Sequence, residues 1–154
     1  MSISSSIKIL QVNLNRNSIA TESILQVAIE LRIDLVLVQE PWVIKEPELD
    51  YSTVRSIIHP SFTQLLPLTK ELRPRTLAYI AKGFRPEVTV IPVEDPDILI
   101  LDILEKGQKI QILNVYNEKN QLGEGLKTLE RAVFPREIGL STIVLRDFNT
   151  HYPW

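Results

Sequence analysis

Apolar runs separated by polar turns predict that the chain opens as a strand, a helix and a strand. The first run covers residues 7–14 and has the β-branched and leucine content of a strand. Apolar side chains at helical spacing follow over residues 18–32, with Asn17 or Ser18 as the N-cap. The next run, "DLVLVQEPW", is apolar without alternation and stops at Pro41, which is typical of a strand buried on both faces. These three elements form a β-α-β unit.

Prolines between residues 60 and 96 divide the middle of the chain into short pieces. Among these pieces, "RTLAYIAKG", "EVTVIPV" and "DILILDILEKGQKIQILNVYN" predict further strands, and "EKGQK" predicts the turn of an antiparallel hairpin. A second helix is expected over residues 125–134, and "STIVLRDFN" is the last predicted strand. Many strands with two helices predict an α/β (α+β) fold, a sandwich of sheets flanked by helices.

The composition narrows the class of protein. A length of 154 residues suits one core, so a single domain is expected over residues 7–154 after a short flexible N-terminus, residues 1–6. The net charge of -2 gives no general attraction to nucleic acid or to an anionic membrane. The chain has no cysteine, no charged leader before an apolar stretch and no apolar run long enough for a membrane span. An intracellular protein is expected, cytoplasmic or nuclear and not secreted.

Four of the apolar runs end in polar side chains that suit catalysis. The polar side chains at these strand ends are Asn13, Asn15, Gln39, Glu40, Tyr116, Asn117, Asp147 and Asn149. Strand ends that meet at one edge of a sheet are where α/β folds usually place a site, although asparagine and aspartate also end strands because they favour turns. Glu40 is the sharpest signal, since a carboxylate after an apolar run is costly to bury without a partner. Oxygen ligands without cysteine indicate Mg²⁺, or Mn²⁺, and the cleavage of a phosphate ester.

The sequence resembles the endonuclease/exonuclease/phosphatase family, and within it the apurinic-like endonuclease domain of non-LTR (LINE-type) retrotransposons. The segments that carry the resemblance are "LQVNLNRN", "VQEPW", "HPSF", "RTLAYIAK", "ILNVYNEK" and "LRDFNTHYPW". The resemblance implies an incomplete four-layer α/β sandwich whose mixed sheets are mostly antiparallel and are flanked by helices. It also implies a Mg²⁺-dependent endonuclease that nicks one DNA strand and leaves a 3′ hydroxyl for reverse transcription.

The same resemblance implies roles for the strand-end side chains. Glu40 is expected to bind the metal, with Asn13 near the metal and the scissile phosphate. Tyr116 and Asn117 are expected to contact the phosphate. Asp147 would orient the attacking water.

Asn149 would hold the phosphate or the transition state. Beyond this position, members of the family continue to a late Ser-Asp-His motif. Because that motif is not in the 154 residues, the sequence predicts a truncated domain whose catalysis is impaired. Neither His59 nor His151 matches the late histidine, and a structural role is favoured for both. Arg146 stands where the family has glycine, either facing a layer that glycine leaves open or exposed to solvent.

One basic stretch, "KELRPRTLAYIAKGFRP", suggests a local contact with DNA through Arg73, Arg75 and Lys82, although such a run is more often a solvated face. No membrane partner is expected, and an uncovered sheet edge would favour self-association. Two alternatives stay open: a nuclease or phosphatase that another chain completes, and a non-catalytic interaction module.

Overall fold

Two four-stranded sheets form the centre of the computed structural model, which describes residues 6–44, 55–67, 73–116, 127–133 and 141–146. The elements are β1 (Ile9–Asn13), α1 (Ser18–Glu30), β2 (Leu35–Gln39), β3 (Phe62–Leu65), β4 (Thr76–Ala81), β5 (Glu87–Ile91), β6 (Ile98–Glu105), β7 (Gln108–Val115), α2 (Lys127–Val133) and β8 (Thr142–Arg146). The first sheet has the order β1-β2-β4-β3, and the second has the order β5-β6-β7-β8. Both sheets are mixed, because β1 pairs with β2 and β7 with β8 in parallel while the other pairs are antiparallel.

The predicted β-α-β opening is confirmed. The Asn17 side chain caps α1 by accepting a hydrogen bond from the Ala20 N–H at 2.9 Å. The helix ends two residues earlier than the apolar spacing predicts, because Arg32 adopts a left-handed φ of 54°. The Arg32 N–H donates to the Ile29 carbonyl, and the Ile33 N–H donates to the Ala28 carbonyl. These are the hydrogen bonds of a Schellman cap.

The sheets pack face to face over an apolar core, and one helix covers the outer face of each. Alternate side chains of the two sheets meet in this core: Leu35, Leu37, Ala78, Leu99, Leu101, Ile103 and Ile112. Leu25 and Ala28 of α1 pack on the outer face of the first sheet, and Ala132 of α2 packs on that of the second. Every residue of β2 is buried, as its unbroken apolar run predicts. The layers are therefore helix, sheet, sheet and helix.

Local turn chemistry explains the long hairpin of the second sheet. β6 and β7 pair throughout their length, and Lys106 and Gly107 join them with φ values of 49° and 76°. Two successive left-handed residues make the tight turn that matches the twist of the strands, so the predicted hairpin is confirmed. β3 was not predicted, because its four residues give too short an alternation to distinguish from a loop. In the residues that the structure describes, no helix is long and apolar enough to cross a membrane.

Candidate functional site

The ends of strands from both sheets lie at a common edge of the sandwich, which is the relationship that the polar strand ends predict. The residue pairs in register at this edge are Asn13 with Gln39, Gln39 with Thr76, Ile98 with Val115, and Val115 with Arg146. β1, β2, β7 and β8 end here, whereas the antiparallel β4 and β6 begin here. The described residues next to these strand ends therefore lie at the same edge.

Glu40 and Tyr116 meet across the two sheets. Glu40 directly follows β2 of the first sheet, and Tyr116 directly follows β7 of the second. The Tyr116 phenol donates a hydrogen bond to Oε1 of Glu40 at 2.8 Å, and only 8% of Tyr116 is exposed. The phenol satisfies one oxygen of a half-buried carboxylate, which answers the question of how that charge is tolerated.

The loops around Glu40 hold several residues in left-handed backbone conformations. Glu40 has a φ of 48°, and Asn15 and Arg16 in the loop after β1 have φ values of 46° and 56°. The two loops are joined, since the Arg16 N–H donates to the Glu40 carbonyl at 2.8 Å. Side chains other than glycine rarely adopt this region, and such residues cluster at functional sites. The strain supports a role for Glu40 beyond ending a strand.

Asn13, the last residue of β1, is half-buried beside these loops. Its Oδ1 accepts a hydrogen bond from the Asn15 N–H at 2.9 Å. It is in register with Gln39, the residue before Glu40. The structure thus brings Asn13 to the same edge as Glu40 and Tyr116.

Directly beneath this edge, two fully buried amides connect the sheets. The Gln39 side chain donates to the Val115 carbonyl at 2.7 Å. The Asn114 side chain donates to the carbonyls of Val38 and Leu77 at 3.0 and 3.2 Å. Because Gln39 precedes Glu40 and Val115 precedes Tyr116, these bonds fix the separation of the two site residues.

The three predicted DNA-binding cations do not lie together. Arg75 precedes the first residue of β4 at the site edge, and Lys82 follows its last residue at the opposite end, about 20 Å away by the rise of a strand. Arg73 is exposed two residues before Arg75. The basic stretch is therefore divided by a buried strand, and contact of all three with DNA stays a prediction.

Arg75 forms a two-point ion pair with Asp97, which precedes β6. Its Nε donates to Oδ1 of Asp97, and its Nη2 donates to Oδ2 at 2.7 Å. Asp97 is only 4% exposed. Burial raises the pKa of Asp97 above its usual range, and the Arg75 guanidinium opposes that shift.

Three predicted site residues lie outside the described residues: Asn117, Asp147 and Asn149. His151, for which a structural role is favoured, also lies outside them. Their roles stay predictions. Arg146, directly before Asp147, is half-buried at the end of β8 in register with Val115. His59 is away from the site edge, where its Nδ1 accepts from the Ser61 N–H at 3.1 Å and its ring contacts Phe62 edge-on. These contacts agree with the structural role favoured for His59.

The donors present suit a hard divalent cation. Glu40 offers a carboxylate and Asn13 an amide oxygen, the ligand types that Mg²⁺ prefers. Within the described part of the chain, no three histidine, aspartate or glutamate side chains form a cluster that could hold a metal. A magnesium site built from one or two carboxylates and completed by substrate phosphate does not require such a cluster.

A surface cleft of about 420 Å³ begins two residues beyond Glu40, at Trp42. Its other lining residues are Ser18, Glu22, Ile44, Arg55, Ser56, Ile57 and Ile58. Nothing in the sequence pattern predicts this cleft, since it joins the start of α1 to a segment near residue 56. Asp97 and Asn114 were not predicted at the site, because lone polar residues near strand ends carry no distinctive signal. Gln39 was predicted as a polar strand end, but its side chain is fully buried between the sheets.

Comparisons with protein-family models and with curated proteins give no match for this chain. Among solved structures, the endonuclease domain of TRAS1, a telomere-specific non-LTR retrotransposon, is similar with a TM-score of 0.63 and 18% identity, over 96% of this chain and 61% of that one. An endonuclease/exonuclease/phosphatase family protein from Leptotrichia buccalis C-1013-b is similar with a TM-score of 0.57 and 15% identity, over 94% of this chain and 67% of that one. The chain thus has the α/β fold of the endonuclease/exonuclease/phosphatase proteins, as its sequence motifs predict.

Proposed function

We propose that this chain carries the strand-end site of a divalent-metal-dependent phosphodiesterase that acts on DNA, of the retrotransposon endonuclease type. The observation that carries the proposal is the meeting of Glu40 and Tyr116 across two sheets, at the edge where Asn13 also lies. The similarity to the TRAS1 endonuclease domain supports DNA as the substrate. The chain spans 61% of the length of that domain, so the reaction of the whole domain is part of the proposal.

The described residues would divide the work of binding and orientation. Glu40 would hold Mg²⁺, or Mn²⁺, with Asn13 beside it, and the bound cation would polarise a phosphate oxygen. Tyr116 fixes the carboxylate through its 2.8 Å hydrogen bond, so that Glu40 meets the cation in one orientation. Phosphate contact by Tyr116 and Asn117, orientation of water by Asp147 and phosphate binding by Asn149 complete the proposal.

Impaired catalysis in the 154-residue chain is a separate prediction, which comes from the sequence resemblance. A missing proton-transfer partner typically lowers a rate by about 10²–10⁴. A second chain that supplied this partner would restore activity. Self-association through a sheet edge and an intracellular location also stay predictions.

The test is nicking of supercoiled plasmid by the purified chain in Mg²⁺ or Mn²⁺, with EDTA, Glu40→Gln and Asp147→Ala alongside. Glu87→Gln is the matched control, because Glu87 is an exposed carboxylate at the far end of the second sheet. Activity that requires the metal and Glu40, and that Glu87→Gln retains, would support the proposed function.

The other outcomes distinguish the remaining alternatives. Cleavage by the 154-residue chain that is much slower than cleavage by a complete retrotransposon endonuclease domain, and that still depends on Glu40, would support impairment. DNA binding that survives both EDTA and Glu40→Gln, without any cleavage, would favour the non-catalytic interaction module instead. Cleavage that is insensitive to Glu40→Gln would contradict the proposed site.

A further inference from the structure

Arg75 touches both halves of the Glu40–Tyr116 pair. Its backbone carbonyl accepts a hydrogen bond from the Glu40 N–H at 3.0 Å. Its guanidinium carbon lies 5.0 Å from the centre of the Tyr116 ring, a cation–π contact. One residue thus contacts the backbone of the carboxylate and the ring of the phenol that binds it.

Asp97 fixes the Arg75 side chain in this position. The pair is bidentate, and the Arg75 N–H also donates to the carbonyl of Pro96 at 2.8 Å, so backbone and side chain dock on the same loop. The Tyr116 N–H donates to the Asp97 carbonyl at 2.8 Å. Asp97 therefore restrains the backbone of Tyr116 directly, and it restrains the Tyr116 ring through Arg75.

Helix α2 supports the same carboxylate from the outside. The Arg131 Nη2 lies 3.6 Å from Oδ2 of Asp97, and its Nε donates to Oδ2 of Asp95 at 3.0 Å. Asp95 in turn accepts from the Asp97 N–H at 3.0 Å through its Oδ1. Asp97 faces guanidinium groups from two elements, which restrains its carboxylate more than one partner would.

We infer that Arg75, held by Asp97, is a positioning residue that fixes the Tyr116 phenol against Glu40. This inference rests on the proposed function of Glu40 and Tyr116. The planar guanidinium can bind a carboxylate at two points and pack on an aromatic ring at once, which a lysine ammonium cannot do. A direct contact between Arg75 and a DNA phosphate, the role predicted from the sequence, is the competing assignment.

The two assignments differ in what Asp97 does. A positioning residue needs its carboxylate, so Asp97→Asn and Arg75→Gln should lower kcat by similar factors with little change in the KM for DNA. Residues that support metal ligands typically contribute about 10- to 100-fold, and that range is expected for each variant. The double variant should be no slower than the slower single variant, because both changes remove the same support.

Arg75→Lys and Arg85→Gln complete the kinetic test. Lysine retains the charge but not the planar fork, so Arg75→Lys should remain as slow as Arg75→Gln. Arg85 is exposed beyond the opposite end of β4, so Arg85→Gln loses the same charge and should keep the wild-type kcat. Full activity in Asp97→Asn, together with a raised KM and a reduced salt dependence in Arg75→Gln and rescue by lysine, would overturn the inference in favour of phosphate contact.

Nuclear magnetic resonance provides a readout that does not depend on cleavage. The Arg75 Nε–H signal should exchange slowly with water in the wild-type chain and quickly in Asp97→Asn. The ring signals of Tyr116 should shift in the same direction in Asp97→Asn and Arg75→Gln. If Arg75→Gln does not fold, Arg75→Lys takes its place in this comparison. A wild-type chain without nuclease activity would count against the proposed function alone. Unchanged Tyr116 ring signals in the folded variants would overturn the positioning role.

Discussion

The side-chain amide of Gln39 donates to the backbone carbonyl of Val115 across 2.7 Å, and each residue directly precedes a residue of the candidate site. The bond joins the first sheet to the second at the edge where the strands end. A change in the packing of the sheets would separate Glu40 from Tyr116 before it altered either strand. The site therefore depends on how the two sheets dock as well as on its own side chains.

Tyr116→Phe should reduce activity much more than stability. The ring stays packed, but Glu40 loses the 2.8 Å hydrogen bond to the phenol. A hydrogen bond to a charged group contributes about 1.5–3 kcal/mol, so nicking should slow by about 10- to 100-fold. Steady-state rates and thermal unfolding would measure the two effects.

Tyr79→Phe is the matched control for that variant. It also removes a hydroxyl with a 2.8 Å bond, to the Ile57 carbonyl, but Tyr79 lies in the core under α1. It should lower the unfolding temperature and leave the rate per folded molecule unchanged. Equal loss of activity in both variants would show that Tyr116 acts through general stability.

Asn114→Leu should destabilise the fold. Its amide serves two carbonyls of the other sheet from a fully buried position, and leucine cannot replace these bonds. A loss of about 1–3 kcal/mol in the free energy of unfolding is expected in urea titrations. Gln108→Leu, an exposed change on the same strand, should stay within about 0.5 kcal/mol of wild type. A comparable loss at both positions would argue against the buried amide as the cause.

Arg32→Gly should stabilise the protein. Arg32 is exposed and has a φ of 54° in the Schellman cap of α1, a conformation that glycine adopts without a steric penalty. The expected gain is about 1 kcal/mol in the free energy of unfolding. Arg32→Ala retains the side-chain penalty and should give no gain, so an equal gain from alanine would point to the lost charge.

The raised pKa of Asp97 predicts how this residue links stability to pH. Burial is its main cause, and the folded protein therefore binds the Asp97 proton more tightly than the unfolded chain does. The contribution of Asp97 to the free energy of unfolding is fully present below the pKa that Asp97 has in the unfolded chain. It is lost as the pH rises through the raised pKa of the folded protein. The free energy of unfolding of wild type, minus that of Asp97→Asn, should fall across this window.

Urea unfolding at a series of pH values from about 3 to about 7 would measure this difference. Asp34→Asn, measured in the same way, shows the effect of removing a different carboxylate. Asp34 accepts a hydrogen bond from the Lys8 N–H at 2.8 Å on the far side of the first sheet. A wild-type advantage that instead grew with pH would mean that the Arg75 ion pair outweighs burial.

Local signals made much of the fold predictable. Three such signals each affect only the residues next to them in the sequence. They are Asn17 before an amphipathic stretch, Pro41 after an apolar run, and the turn at Lys106 and Gly107. The arrangement of strand ends was predictable because polar side chains interrupt apolar runs at Asn13 and Glu40.

The supporting contacts were not predictable in the same way. Gln39 looked like another polar strand end, yet its side chain is fully buried and bonds a residue 76 positions away. Asp97 resembled an ordinary turn residue in "EDPDILIL" until the sheets brought Arg75 beside it. Both depend on how two sheets dock, and no pattern within a single segment encodes that.

The separation of Glu40 and Tyr116 by 76 positions has a consequence for how the protein is made. During synthesis the carboxylate leaves the ribosome well before the phenol, at a rate of about 5–20 residues per second. Contacts between distant segments also form late in folding, because the intervening chain must first lose its freedom. A nascent chain thus has the glutamate proposed to bind the cation without the group that orients its carboxylate. Any competence to bind metal and DNA would emerge together with the completed second sheet.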